Sequence, residues 1–137
     1  MSAASNFLED ALLNHTLTAT SYTAPTTRFL ALFTNTSGSA ATNLEAGTLT
    51  DEISTSGTAY VRQAVTFAAA SSGTSATNAT VTFPAATANW GTITHIAIMS
   101  ASTAGQVLFW GAVTTSKTIE TGDTFQVSSG NLTVSLA

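Results

Sequence analysis

The chain has 137 residues, of which only 7% are charged, and its formal net charge is −4. We expect residues 1–137 to form a single domain, since this length supports one core of its own. The cations Arg28, Arg62 and Lys117 are too scattered for a nucleic-acid surface, which needs a basic stripe. Cysteine is absent, which excludes disulfides and thiolate metal sites. No apolar stretch approaches the roughly 20 residues of a membrane span, so we expect no membrane partner.

Residues 5–17 predict the one helix of the chain. Its inward positions recur at the spacing of a single helix face: Leu8, Ala11, Leu12 and His15. Either Ser5 or Asn6 can cap the start, and Asn6 with Glu9 resembles a capping box. Glu9 and Asp10 lie in the first turn, where the helix dipole favours anions.

The next segments predict strands separated by a long excursion. Residues 28–34 are apolar on both faces, which is typical of a central strand. Residues 35–57 are rich in Asn, Thr, Ser and acids without a sustained period, and we interpret them as one long loop. Residues 58–67 alternate, with Val61 on the apolar face and Arg62 on the polar face.

The remainder predicts short strands near Val81 and Phe83 and at residues 93–99, 106–113, 118–120, 125–127 and 132–136. Residues 100–105 fit a hairpin loop with Gly105 at positive φ. This pattern predicts a mainly β fold, an antiparallel β-sandwich or jelly-roll-like domain with one N-terminal α-helix. The residues expected to be mostly buried are Phe29, Leu32, Val65, Phe67, Ile93, Ile98, Val107, Phe109, Trp110 and Phe125.

Motifs for catalysis or cofactor binding are missing from the sequence. A zinc site needs three or four convergent ligands, whereas His15 and His95 are far apart and form no metal-binding spacing. No nucleotide-phosphate loop and no GxSxG nucleophile elbow occurs. We therefore predict no catalytic residue, no metal and no cofactor, and a protein that is not an enzyme.

Several segments together resemble a known family. They are SNFLEDALLNHTL at 5–17, the Tyr-Thr-x-Pro turn at 22–25, RFLALFT at 28–34, YVRQAVTF at 60–67, ATANWGTITHIAIM at 86–99 and VLFWGAVTTSKTIETGDTFQV at 107–127. The chain is similar to small virion proteins of tailed phages, variously labelled tail-fibre, capsid decoration or cement proteins. Residues 35–57 and 68–78 match least well.

The resemblance implies a virion structural protein without catalytic residues. We expect a capsid cement or decoration protein that binds the outer capsid and bridges subunits of the major capsid protein. The alternative is a tail-fibre or host-adhesion module that binds a surface glycan, which would present an aromatic and carboxylate cluster on one face. Location in the virion is expected in both cases.

Interface residues are expected at polar and acidic positions of the N-terminus and the excursion: Ser2, Ser5, Asn6, Glu9, Asp10, Glu45, Asp51 and Glu52. We expect residues 1–6 to be ordered by contact with a neighbouring subunit or the capsid, so that deleting residues 1–5 leaves the fold intact but weakens binding to the particle. The strands have no edge lysines to protect them, which predicts a homo-oligomer, with a trimer favoured.

Overall fold

The computed structural model describes residues 3–136 and shows two helices and nine strands within that range. The helices are α1 (Asn6–Leu17) and α2 (Ala40–Glu45), and the strands are β1 (Ala3–Ala4), β2 (Arg28–Phe33), β3 (Gln63–Val65), β4 (Thr74–Ala76), β5 (Val81–Thr82), β6 (Gly91–Met99), β7 (Val107–Ile119), β8 (Gln126–Val127) and β9 (Thr133–Ser135). All strand pairs are antiparallel.

A five-stranded sheet in the order β1-β7-β6-β2-β3 forms the frame of the protein. Two small pairs, β4-β9 and β5-β8, complete the β structure. The predicted class, a mainly antiparallel β-sandwich with an N-terminal helix, is confirmed. β2 lies between β6 and β3, as expected of a strand that is apolar on both faces. The predicted hairpin joins β6 to β7, with Gly105 at φ 73°.

The start of α1 is fixed by Ser5 and not by Asn6. The Ser5 side chain accepts a hydrogen bond from the backbone N–H of Leu8 at 3.3 Å and donates one to the carbonyl of Val107. Its backbone N–H also donates to the carbonyl of Leu108 at 2.9 Å. Leu8 is the one buried residue of α1, so the helix contacts the sheet along a narrow line.

The N-terminal segment is ordered by its own chain. Ala3 and Ala4 pair with Trp110 and Phe109 of β7, and Ser5 is completely buried. The expectation that a neighbour is needed to order residues 3–5 is therefore wrong. Removing residues 1–5 would also remove a strand and a helix cap, so we no longer expect that deletion to leave the fold intact.

The excursion at 35–57 contains a helix that the sequence pattern did not indicate. α2 buries Ala40 and Leu44, two residues four apart that share one face. A six-residue helix with two buried positions has too little periodicity to recognise in a Thr- and Asn-rich segment.

The alternation expected over residues 58–67 is wrong in its first half. Only Gln63–Val65 is a strand, and Ala59 has a positive φ of 60° that interrupts the extended backbone. As a result Val61 is 47% exposed, whereas Tyr60 and Arg62 are buried. A shift of one residue in a two-residue period exchanges the two faces of a strand, and this is what happens here.

The core has one cluster on each face of the large sheet. The larger cluster surrounds Phe83, Tyr60 and Trp90, whose rings pack at centroid distances of 5.5 to 6.3 Å. The smaller cluster lies under α2 and contains Phe33 and Leu44. Of the ten expected core residues, six are buried, namely Leu32, Val65, Ile93, Ile98, Val107 and Phe125, and four are half-buried, namely Phe29, Phe67, Phe109 and Trp110.

Candidate interaction surface

A buried ion pair fastens the excursion to the hairpin loop. The guanidinium of Arg62 donates to both carboxylate oxygens of Glu52, Nε to Oε1 at 2.7 Å and NH2 to Oε2 at 2.8 Å. NH1 donates to the carbonyls of Ala101 and Ala104, each at 2.8 Å. One arginine thus joins three chain segments, and a bidentate pair of this kind is geometrically specific.

Tyr60 completes this network. Its hydroxyl donates to Glu52 Oε1 at 2.9 Å and accepts from the backbone N–H of Leu32 at 3.1 Å. Burial, followed by the charge of Glu52, raises the pKa of Tyr60 far above its ordinary value. The phenol therefore stays neutral, and the Glu52 carboxylate is committed to internal partners.

Asp51 organises the turn that precedes α2. Its Oδ1 accepts from the Ser37 N–H at 3.0 Å and from the Thr36 hydroxyl at 3.1 Å, and its Oδ2 accepts from the Ser37 hydroxyl at 2.5 Å. The hydrogen bond from the Ser37 side chain is the main reason why the pKa of Asp51 lies below its usual value. Asp51 is only 4% exposed, and its carboxylate ties the end of the excursion to the turn at its start.

Trp110, Glu45 and His95 form an aromatic and acidic cluster on the α2 side of the sheet. The Trp110 indole N–H donates to Glu45 Oε2 at 2.7 Å, and the His95 ring lies 6.4 Å from the Trp110 ring. All three side chains are half-buried. Burial lowers the pKa of His95, so the imidazole is neutral at neutral pH.

The eight predicted interface residues fall into three groups. Ser2 lies outside the described residues. Four residues form hydrogen bonds within the chain that give them a structural role, namely Ser5, Glu45, Asp51 and Glu52. The three exposed ones lie on α1, namely Asn6, Glu9 and Asp10. The contact role of all eight remains a prediction.

An apolar groove that sequence reasoning missed opens between the β4-β9 pair and the large sheet. Its volume is about 360 Å³, and its walls include Phe67, Phe109, Val134 and Leu136. Arg28 is the one charged residue in its lining. Phe67 and Phe109 were predicted to be buried. They are only half-buried because they line this groove.

A second missed feature is an apolar stripe on the outer side of α1. Leu13 is 56% exposed and Leu17 is 76% exposed, and they are four residues apart on one helix face. The sequence did indicate this feature, because Leu13 and Leu17 are leucines of α1 that lie outside the predicted inward face at positions 8, 11, 12 and 15. Together they form a small exposed apolar stripe on the side of α1 that faces away from the sheet.

The outer edge of β7 is also accessible. β1 pairs with β7 only at Trp110 and Phe109, so the rest of this edge has no strand beside it in residues 3–136. The register with β6 shifts between Ile93 and His95, which leaves residues 113–116 opposite Thr94. A bulge at an edge hinders unwanted strand pairing while it presents hydroxyl side chains to solvent.

Residues 3–136 contain neither a metal-binding cluster nor a membrane-spanning helix. No group of three or more His, Asp and Glu side chains is arranged to hold a metal ion. Neither helix in that range has the length and apolar character needed to cross a membrane.

These features define a small, mostly antiparallel β protein with an apolar groove, an exposed leucine stripe and charged groups engaged largely in internal contacts. The chain belongs to the family described as podophage GP4 fiber I protein gp80, which matches residues 3–135. It is therefore a small phage virion structural protein, and the resemblance seen in the sequence is confirmed. Comparison with curated proteins gave no match.

Proposed function

We propose that the protein is a non-enzymatic cement or decoration protein of the capsid surface. The observation that supports this best is the division of its polar groups. The buried charges and both indole N–H groups have internal partners, whereas the free surface offers leucines, hydroxyls and an apolar groove. Such a surface suits contact with protein, because neutral hydroxyls cost less to bury than charges do.

The proposed mechanism is stabilisation by mass action. A protein that binds the assembled shell, but not separate capsid subunits, lowers the free energy of the shell by its binding free energy. If the protein bridges adjacent subunits of the major capsid protein, its binding free energy must be overcome before the shell can rupture. The exposed acid Glu9 is the charged group that we propose for contacts with capsid cations, which would steer binding and set its register.

The second candidate is a tail fibre or adhesion module. The word "fiber" in the family description favours it, and so does the cluster of Trp110, Glu45 and His95, which is the aromatic and carboxylate combination expected for glycan binding. In this hypothesis the exposed part of the Trp110 ring would stack on a sugar while Glu45 fixes the orientation of the indole.

Particles with and without the protein decide between the candidates. We expect particles that lack it to lose DNA at lower temperature and to adsorb to cells at the normal rate. Adding purified protein back should restore heat resistance. Equal heat resistance together with lost adsorption would reject the cement role and favour the fibre. Copy number is an independent measurement, because hundreds of copies indicate the shell and a few dozen or fewer indicate the tail.

A variant of the glycan candidate provides the matched control. Trp110→Phe removes the indole N–H bond to Glu45 and reduces the stacking surface. A cement protein should protect particles normally with this substitution. Loss of adsorption with unchanged shell stability would instead identify Trp110 as part of a receptor site.

A further inference from the structure

We infer that the groove of one copy of this chain receives the leucine stripe of α1 from a second copy. The groove is lined by Phe67, Phe109 and Leu136 among others, and the stripe consists of Leu13 and Leu17. The two surfaces are the cavity and the apolar projection that a helix-in-groove contact requires. This association would be a property of the protein alone, whichever part of the virion it occupies.

The helix does not fill the groove of its own chain. No residue of α1 is among the groove lining, and Leu13 and Leu17 face solvent. α1 is held in this orientation by buried Leu8 and by Ser5, whose hydrogen bonds fix its first turn to β7. Its stripe therefore remains available to a different molecule.

Charge complementarity indicates a second copy as the occupant. Arg28 in the groove donates to the carbonyl of Pro25 at 3.0 Å and has no carboxylate partner within residues 3–136. Asp10 precedes Leu13 by one helical turn and has no ion pair in that same range. A helix that places its two leucines in the groove can bring Asp10 toward Arg28, which would pair two charges that are otherwise unmatched.

The geometry of the contact has a consequence for assembly. Stripe and groove are different surfaces, so the contact is heterologous, and each copy carries one of each. Repetition through a suitable rotation closes a ring, in which every stripe and every groove is occupied. We propose a cyclic trimer, in agreement with the trimer favoured from the sequence.

The first experiment compares masses of the intact chain by light scattering. Wild-type protein should form an oligomer, whereas Leu13→Ser with Leu17→Ser should weaken association by about a hundredfold or more and give a monomer. Val61→Ser is the matched control, because Val61 is also exposed but lies outside both surfaces. Near-ultraviolet circular dichroism checks that each variant is folded. A monomeric wild type at millimolar concentration, or a stripe variant that associates normally, would overturn the inference.

The second experiment mixes two defective variants. Arg28→Glu damages the groove but leaves the stripe, and the double leucine variant leaves the groove, so the mixture should give a one-to-one dimer and stop there. Reversing both charges in one chain, Asp10→Arg with Arg28→Glu, should restore the oligomer. If Arg28→Glu does not fold, Ala70→Trp, at an exposed position of the groove wall, replaces it. A mixture that remains monomeric would contradict a stripe-to-groove contact.

Discussion

The acids of residues 35–57 and the acids of α1 are used in opposite ways. Glu45 and Glu52 accept hydrogen bonds from residues outside the excursion, and Asp51 accepts them from Ser37 and Thr36 within it, so all three acids hold the excursion in place. Glu9 and Asp10 are exposed and have no ion pair within the described residues. The few acids of this sequence therefore fall into two sets. Those of the excursion stabilise the internal structure, and those of α1 lie on a surface that is free for partners.

The difference follows from local sequence as well as from position. The excursion is polar and long, and its buried apolar side chains are only Ala40, Leu44 and Ile53, so charged hydrogen bonds supply much of its attachment. α1 is attached by Leu8 and its serine cap, and its acids need no partner because the dipole already favours them. The contrast predicts large effects for changes in the first region and small ones in the second.

The largest effect is expected for Arg62→Ala. The substitution leaves the Glu52 carboxylate and the carbonyls of Ala101 and Ala104 without their donor, and breaking a buried pair costs about 3–5 kcal/mol. Lys117→Ala, an exposed cation without an ion pair in residues 3–136, should change stability by less than about 0.5 kcal/mol. Urea unfolding of both variants measures this. Equal stabilities would show that the network does not hold the excursion.

A smaller effect is expected for Ser5→Ala, which tests how α1 is attached. Loss of an N-cap costs about 1 kcal/mol, with a range of roughly 0.5–2, and the Val107 carbonyl also loses its donor. The matched control is Ser21→Ala, at an exposed position. Thermal melts should place Ser5→Ala clearly below wild type and Ser21→Ala close to it. Coincident melts for the two variants would mean that the cap does not hold the helix.

The pH dependence of stability should also distinguish the two regions. The folded-state pKa of Asp51 lies below 3.8, so its stabilisation is complete above that value and is lost as the pH falls through the folded pKa. His95 acts in the same direction, because burial lowers its pKa below 6.5 and protonation in the unfolded chain then favours unfolding. Acid should therefore destabilise the protein in two steps.

Asp51→Asn should remove the lower of these steps and leave the upper one. Denaturant unfolding from neutral pH to below 3.8 measures both. Asp10→Asn is the control and should retain both steps, because Asp10 is exposed on α1 and contacts neither Asp51 nor His95. A wild-type profile in Asp51→Asn would show that Ser37 and Thr36 do not stabilise the ionised carboxylate.

The sequence was sufficient for features that depend on local pattern. Residues 29–33 are apolar throughout and lie in β2, an inner strand of the large sheet, and the hairpin that contains Gly105 has its turn where the pattern indicated. The sequence was insufficient where a single backbone angle decides which side chains are buried. The positive φ of Ala59 exchanged the faces of Val61 and Arg62, and an alanine gives no warning of a left-handed conformation.

The groove could not be predicted for a different reason. Its walls include residues 28, 67, 109, 134 and 136, which come from segments distant in sequence and meet only through the pairing of β4 with β9 beside the large sheet. The periodicity of a single segment does not indicate which distant segments it will contact. The internal partners of the acids could not be predicted for the same reason, because Glu45 reaches Trp110 across 65 residues of chain.

The smallest effect on stability is expected for Asp10→Asn, and it provides the most direct test of the contrast between the regions. Asparagine keeps the size of the side chain and removes a charge that has no ion pair within the described residues, so the free energy of unfolding should change by at most about 0.5 kcal/mol. If the α1 acids contact partners, Asp10→Asn should nevertheless weaken the association of the protein with those partners. The difference in affinity from wild type should become smaller as salt is added. Glu52→Gln, measured beside it, should lower stability at every salt concentration because its partner Arg62 is buried. An Asp10→Asn protein that unfolds earlier than wild type but binds its partners equally well would assign Asp10 to internal structure and remove the distinction between the two sets of acids.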